Sequence, residues 1–390
     1  MNALPDFIPN CVPNVGEAEA NAARQAVAEG WLAVGPEISA LEREVCVFTG
    51  AQYAVAVNTG TAALHLALLA GGVKAGDIVI VPSLTFAATA AALVYCGAEP
   101  MFFDSDPVSW GLSLPQVREY LSESCFEKDG ERFDKVSGKR VGAIVPVHLY
   151  GHPLYLPDLA QLESDYSVAV IEDAAEALGA SCGGVPVGRD SRLCVLSFNG
   201  NKVITGGNGG MVLTNSEALA ERVRFLAAQA KADPVEFIHS EVGFNYRMTN
   251  VTAAILNVQM QRLPAFLARK REIFESYRSG FEALGCVLMW QEAGWARSSY
   301  WMPMLQTTGL EEDSCISNLR QWLRERRIEA RPAWFPLHRQ RAFNGSRHAP
   351  IFAAEKLSAN SLCLPCSTGL SNDEQAYVVN AVQEFFGHPK

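Results

Sequence analysis

The chain has 390 residues, of which 49% are hydrophobic and 19% are charged, and its formal net charge is −10. That length allows two domains with a large core. The acidic balance argues against a general nucleic-acid-binding protein, which would usually be basic, and no stretch is long and apolar enough to predict a membrane span. Most of the ten cysteines lie in apolar runs, as buried reduced thiols do, so we expect a cytoplasmic protein.

The first part of the chain alternates predicted helices and strands. Helices are expected at 16–29, 38–48, 62–70, 83–95 and 114–121. Buried strands are expected at 53–57, 77–81, 100–104, 141–147 and 168–173. This alternation predicts an α/β fold with a mostly parallel sheet and helices on both faces. A polar, charged segment at about 121–140 interrupts the pattern before the fourth strand.

The second part of the chain has a different pattern. Apolar runs at 193–196 and 211–213 flank a glycine-rich stretch and predict two strands joined by a hairpin-like turn. Long amphipathic helices follow from about residue 216, and the final third mixes short strands and helices. We therefore divide the chain into a large domain, residues 1–250, and a smaller C-terminal α/β domain, residues 251–390, joined by a long helix.

The turn at 58–61 joins the first strand to an alanine- and leucine-rich helix and carries hydroxyls and a glycine. A strand, such a turn and a helix can form a phosphate cradle, because the N–H groups of the first helical turn point at the ligand. The same pattern fits an ordinary capped helix, and by itself it favours neither interpretation.

A lone lysine, Lys202, follows the strand at 193–196 and precedes the glycine-rich stretch. A lysine held between strand ends, beside backbone that can approach a ligand closely, suits covalent carbonyl chemistry. Asp173 ends the strand upstream, where an open α/β sheet faces its ligand crevice. Taken singly, Lys202 would be a solvated loop residue and Asp173 a helix N-cap. Together they favour pyridoxal 5′-phosphate (PLP) chemistry, which needs a Schiff-base lysine and an acid facing the pyridinium nitrogen.

Five segments add a pattern that covers nearly the whole chain. They are GTAALH at 60–65, PSLTF at 82–86, EDAA at 172–175, SF with the later lysine and glycine pair over 197–210, and GFNYR at 243–247. This pattern resembles the DegT/DnrJ/StrS family of sugar aminotransferases. The resemblance implies PLP-dependent transferase fold type I (aspartate aminotransferase-like), PLP as cofactor, and homodimers with shared active sites.

The resemblance also implies a role for each matching residue. Lys202 would bind PLP as a Schiff base and then move the proton between cofactor and sugar carbons. Asp173 would pair with the pyridinium nitrogen and keep the ring an electron sink. Phe86 would stack on the ring, although taken alone it would be a core residue.

The phosphate contacts implied by the resemblance come from two places. One set follows the first strand and the strand before Lys202, and comprises Gly60, Thr61, Ala62 and Ser197. Asn245 would reach the phosphate from the neighbouring subunit, although taken alone it fits a turn. Glu176 replaces the Gln or His more frequent in the family, and we expect it near the phenolic oxygen of the cofactor, where two anions would repel.

Residues that the resemblance places beside the sugar are Trp31, His148, Tyr150, Trp334 and His338. The spacing of His148 and His152 also suggests a pair of metal ligands, but neither a carboxylate nor a cysteine adjoins them in sequence. We therefore expect them to line the substrate pocket and predict no metal site.

The implied reaction transfers an amino group from L-glutamate to the keto group of a nucleotide-linked sugar. The insertion at 121–140 and the stretches at 148–153 and 199–202 are similar to the subgroup on the bacillosamine and legionaminic acid routes. This similarity suggests a UDP-linked 2-acetamido-4-keto-6-deoxyhexose, used for surface polysaccharide. A GDP-linked 4-keto-6-deoxymannose (the perosamine route) or a dTDP-linked keto sugar is the next choice.

Two other classes of protein fit the sequence less well than an aminotransferase does. A non-catalytic PLP-binding regulator is disfavoured because Lys202 and Asp173 are both present. A Rossmann dehydrogenase would need its glycine motif after the first strand, whereas the richest glycine cluster follows Lys202.

Overall fold

The computed structural model describes residues 6–233, 235–308 and 315–387. Its α-helices are α1 (Glu17–Ala28), α2 (Pro36–Thr49), α3 (Gly60–Ala70), α4 (Ala87–Tyr95), α5 (Leu114–Glu119), α6 (Leu156–Tyr166), α7 (Glu217–Ala227), α8 (Asn250–Phe281), α9 (Cys315–Glu325), α10 (Ala353–Ala359) and α11 (Asn372–Gly387). Among the described residues, no helix combines the length and the apolar character that crossing a membrane requires.

The strands before α7 are β1 (Tyr53–Val57), β2 (Ile78–Pro82), β3 (Glu99–Phe103), β4 (Cys125–Lys128), β5 (Glu131–Asp134), β6 (Val141–Ile144), β7 (Ala169–Asp173), β8 (Ser181–Cys182), β9 (Val185–Pro186), β10 (Leu193–Ser197) and β11 (Gly210–Thr214). Those after it are β12 (Lys231–Asp233), β13 (Ile238–His239), β14 (Val287–Met289), β15 (Ala296–Arg297), β16 (Met304–Thr307), β17 (Arg331–Pro332) and β18 (Ser361–Cys363).

A seven-stranded sheet forms the centre of the fold, in the order β1-β11-β10-β7-β6-β2-β3. The strands from β10 to β3 run parallel, and β11 is antiparallel to both of its neighbours, so the predicted mostly parallel sheet is confirmed. Alternate residues of β2 enter two different core clusters, with Val79 and Val81 in one and Ile78 and Ile80 in the other. Because side chains alternate along a strand, both faces of the sheet are covered.

A smaller antiparallel sheet, in the order β14-β16-β18-β17, lies in the C-terminal part of the chain. Its core includes residues of α8, α9 and α11, such as Phe274, Leu319 and Val378. Ile8 joins this core and pairs with Ile328, although the sequence analysis grouped the N-terminal residues with the large domain. The division at residue 250 stays a prediction.

Two local differences from the sequence prediction have physical causes. The helix expected from residue 83 begins at Ala87, because the Ser83 N–H donates to the Phe103 carbonyl (2.9 Å) and extends the parallel ladder. The polar segment at 121–140 contains the β4–β5 hairpin. At its base the buried carboxylate of Asp134 accepts hydrogen bonds from Arg347 (2.7 and 3.1 Å) and Tyr120 (2.8 Å).

Candidate active site

A cavity of about 470 Å³ opens at the carboxyl ends of β7 and β10, beside the start of α3. Among its lining residues are eight that the sequence analysis singled out: Gly60, Thr61, Phe86, Asp173, Glu176, Ser197, Lys202 and Trp334. A more open cavity of about 590 Å³, lined by Arg320, Phe335 and Arg339, contains none of them. The chemistry therefore concentrates in the smaller cavity, at the strand ends where open α/β sheets bind ligands.

Sheet register explains why the acid and the lysine meet. Val195 of β10 lies opposite Asp173 of β7, and Ser197 pairs with Gly210 of β11. The chain then turns, with the Lys202 N–H donating to the Asn199 carbonyl at 2.9 Å. This turn directs Lys202 back over the carboxyl end of β7.

The side chain of Lys202 is largely buried, with 13% of its surface exposed. Its Nζ lies 3.7 Å from Oε1 of Glu176 and 3.8 Å from the ring centroid of Trp301. Burial lowers the pKa of Lys202, while the nearby charges of Glu176 and Asp173 oppose that shift. A lowered pKa increases the neutral amine, which is the form that attacks a carbonyl.

Asp173 is a buried carboxylate at the last position of β7. Its Oδ2 accepts a hydrogen bond from Thr89 Oγ1 (2.8 Å), and its Oδ1 accepts one from the Ala175 N–H (3.1 Å). Burial raises the pKa of Asp173 because the charged form loses hydration. A cationic ring nitrogen in the cavity would restore the ionised form, so this residue fits the pyridinium of PLP.

The start of α3 lies against the end of β10, at the place where the phosphate cradle is predicted. A Cβ on Gly60 would lie 2.7 Å from Cβ of Ser197, so only glycine allows this close approach. The N–H groups of Gly60 and Thr61 belong to the first helical turn, which lacks intrahelical acceptors. The Ala62 N–H instead donates to Thr59 Oγ1 at 2.9 Å, so the predicted phosphate contact of Ala62 is disfavoured. The cradle fits a phosphate at the helix N-terminus.

Glu176 lines the cavity beside Lys202. Its Oε2 accepts a hydrogen bond from the Tyr150 N–H at 2.6 Å. Burial raises the pKa of Glu176, opposed by the charge of Lys202 and the Tyr150 hydrogen bond. The ion pair with Lys202 therefore offsets the cost of a second buried acid near Asp173.

Aromatic side chains form one wall of the cavity. Phe86 is exposed over 54% of its surface, so the alternative of a core residue is wrong. Its ring lies 5.3 Å from that of Trp334, which stacks on Tyr150 at 5.8 Å. The backbone N–H of Trp334 donates to the Tyr150 hydroxyl at 2.8 Å. Tyr150 thus supports the wall from behind, in place of the predicted direct contact with substrate.

The two histidines predicted beside the sugar have other partners. His148 is fully buried, with Nε2 2.8 Å from Glu172 and Nδ1 accepting a hydrogen bond from the Leu154 N–H (3.0 Å). His338 joins Ser83 Oγ (2.6 Å) to Glu355 (3.1 Å). Neither residue lines the cavity, so both assignments are corrected to structural ones.

Two other predicted residues are exposed and do not line this cavity. Trp31 is 49% exposed in the turn between α1 and α2, and its carbonyl accepts a hydrogen bond from Asn250. Asn245 is exposed before α8. His152 is buried and accepts a hydrogen bond from the Ala293 N–H (3.0 Å), which also removes it from the pocket.

Sequence reasoning missed two residues of the site. Thr89, which donates to Asp173, lies one turn after Phe86, so helical spacing could have found it. Trp301, which covers Lys202, comes from a loop about 100 positions further along and has no sequence signal.

Comparison with known proteins is consistent with this site. Residues 13–383 match the DegT/DnrJ/EryC1/StrS aminotransferase family. The chain is 35% identical over 379 residues to the putative pyridoxal phosphate-dependent aminotransferase EpsN of Bacillus subtilis, covering 96% of this chain and 94% of EpsN. It is 35% identical over 382 residues to the GDP-perosamine synthase of Escherichia coli O157:H7, covering 97% of this chain and 99% of the relative.

A solved structure shows the same architecture. The aminotransferase TlmJ from Streptoalloteichus hindustanus superposes with a TM-score of 0.88 at 29% identity, covering 98% of this chain and 99% of that one. The resemblance seen in the sequence is therefore confirmed at the level of the family and the fold, whereas the subgroup stays a prediction. The chain belongs to the DegT/DnrJ/EryC1/StrS family and is a PLP-dependent aminotransferase.

Proposed function

We propose that this aminotransferase moves an amino group from L-glutamate to the 4-keto group of a nucleotide-linked 4-keto-6-deoxy sugar. Lys202 is the lysine that binds PLP, and Asp173 is the partner of the ring nitrogen. The observation that carries this proposal is that Lys202, Asp173 and the start of α3 share one cavity. Those three features match the aldehyde, the ring nitrogen and the phosphate of PLP.

Bound PLP supplies an electron sink for the loss of a proton from the amino-bearing carbon. The N–H groups of Gly60 and Thr61, with the Ser197 hydroxyl, would bind the phosphate and so orient the ring. Phe86, which lines the cavity, would cover one face of the ring and exclude water. The Lys202 amine would hold the proton and move it between carbons.

The nucleotide is best assigned as GDP. The relative from Escherichia coli is named a GDP-perosamine synthase and matches nearly the full length of the chain, which supports a GDP-linked sugar as first candidate. The UDP-linked 2-acetamido sugar suggested by the subgroup resemblance has no such support and becomes the second candidate. A dTDP-linked sugar is the third.

The protein acts as a homodimer in which each active site uses residues of both subunits. Asn245 is exposed and lies outside the cavity of its own subunit, so it is available to a neighbouring cavity. Large apolar side chains are exposed at the cavity mouth, Phe86 and Tyr95, and on the turn before α2, Trp31 and Val34. Such exposed apolar side chains are typical of a protein interface.

A spectrophotometric half-reaction tests the function. The protein is loaded with PLP, treated with L-glutamate, and then given GDP-, UDP- or dTDP-linked 4-keto-6-deoxy sugars. We expect the absorbance of lysine-bound PLP to disappear with glutamate and to return with the GDP sugar. Return with only the UDP or dTDP sugar would overturn the nucleotide assignment, and absence of any response to glutamate would overturn the donor.

Lys202→Ala tests the lysine assignment. The variant should lose the absorbance of lysine-bound PLP and all turnover, because a methyl group cannot form a Schiff base. Lys74→Ala, which removes an exposed lysine, serves as the matched control and should behave like the parent. Turnover by the Lys202→Ala variant would show that another group performs its role.

A further inference from the structure

Trp301 contacts both Lys202 and the residue before it in the chain. The face of its indole ring lies against the lysine, with 3.8 Å between Nζ and the ring centroid. Its indole N–H donates to the carbonyl of Asn201, directly before Lys202, at 2.6 Å. One side chain therefore holds both the backbone that carries the lysine and the amine at its tip.

The indole itself is held firmly. Trp301 is 1% exposed, and its ring stacks on that of Tyr150 with centroids 6.4 Å apart. Its carbonyl accepts a hydrogen bond from the buried amine of Lys270 (2.9 Å), which also donates to the Cys366 carbonyl (2.6 Å). Lys270 lies on α8 and is itself buried, so this support comes from a long helix. The ring can thus act as a fixed platform.

We propose that Trp301 is a positioning residue for Lys202: its ring holds the amine inside the cavity whenever the amine is not bonded to PLP. This inference rests on the proposal that Lys202 is the PLP lysine. To move the proton, the Lys202 amine would have to stay within reach of the reacting carbon. A lysine has four rotatable side-chain bonds, so an unrestrained amine would leave that position in much of its conformational range.

The electrostatic effect of the ring has a definite sign. A cation over the face of tryptophan is attracted by the ring quadrupole, most strongly when water is excluded. The contact therefore stabilises the protonated amine and opposes the effect of burial. The titratable groups that also act on Lys202 are Glu176, Asp173 and Cys11. All three remain in variants of Trp301, and any loss of burial would raise the pKa of Lys202, so a fall in that pKa would report the lost aromatic face.

The test is the titration of Lys202 in the full-length, PLP-free protein. Lysines are labelled with acetic anhydride across a range of pH, and the peptide containing Lys202 is quantified by mass spectrometry, with exposed Lys74 as internal reference. Trp301→Leu should lower the apparent pKa of Lys202 by about one pH unit, which corresponds to a cation–π contact of ordinary strength. Trp301→Phe should cause a smaller fall, because it keeps an aromatic face.

Trp290→Leu is the matched control, since Trp290 stacks on Trp110 and does not line the cavity. It should leave the titration of Lys202 unchanged. Circular dichroism checks that each variant is folded, and Trp301→Phe decides the question if Trp301→Leu is not. An unchanged Lys202 titration in the folded Trp301 variants would overturn the inference. If the lysine assignment itself were wrong, the Lys202→Ala variant would still show the absorbance of lysine-bound PLP, whatever the Trp301 variants do.

Discussion

At the scale of single residues, Asp173 combines burial with a partly satisfied carboxylate. Asp173→Asn keeps the shape but cannot stabilise a charged ring nitrogen. We expect PLP to remain bound and transamination to fall by about 10- to 100-fold, the equivalent of one hydrogen bond to a charged group. Single-turnover kinetics with L-glutamate measures this loss. A rate equal to that of the parent would show that the acid has no part in activating the ring.

The burial of Glu176 makes the stability of the protein depend on pH. Its pKa is raised by burial, so the folded protein binds its proton more tightly than the unfolded chain does. The stability associated with that proton is present below the ordinary value of 4.5 and is lost as the pH rises through the raised value. Glu176→Gln has no such titration. In PLP-free protein, the variant should therefore gain stability relative to the parent as the pH rises from 4.5.

Urea unfolding at several pH values checks the Glu176 prediction. Glu127→Gln, on the exposed β4–β5 hairpin, is the control and should follow the parent. A stability difference that does not change between acid and neutral pH would mean that Glu176 titrates as it does in the unfolded chain.

At the scale of elements, the close approach of α3 to β10 depends on Gly60. Gly60→Ala would push the helix start away from Ser197, because the added Cβ would lie 2.7 Å from the serine Cβ. Overpacking of this size costs about 1–3 kcal/mol, so we expect PLP to bind about 10- to 100-fold more weakly. Titration of the PLP-free protein with PLP gives the dissociation constant of PLP. Gly285→Ala, at a glycine with open space around it, should bind PLP as the parent does.

At the scale of the whole molecule, the proposed sharing of active sites between two subunits predicts complementation between inactive variants. Lys202→Ala and Asn245→Asp should each be inactive alone, the second because an added anion repels the phosphate. In a mixed dimer, one site would combine an intact Lys202 with the partner's intact Asn245. Exchange of subunits should therefore restore turnover. If mixing leaves the sample as inactive as the separate variants, Asn245 does not act across the interface.

The sequence was informative where function depends on the ends of strands. The apolar runs at 168–173 and 193–196 located the strands, and Asp173 at the end of the first and Lys202 after the second line the same cavity. Parallel strands end at one edge of a sheet, so local patterns are enough to bring such residues together. Gly60 and Ser197 were found for the same reason.

Which way a side chain faces was decided only by the tertiary structure. Val147 lines the cavity while the next residue, His148, points away from it and bonds to Glu172, since neighbouring side chains leave opposite sides of an extended chain. Trp301 reaches Lys202 from a distant loop, and no periodicity in the sequence encodes such a contact. By itself the sequence determined the order of elements and the residues at strand ends, because both depend on local patterns. The contact of Trp301 with Lys202 was decided only by the tertiary structure, because it depends on packing between distant parts of the chain.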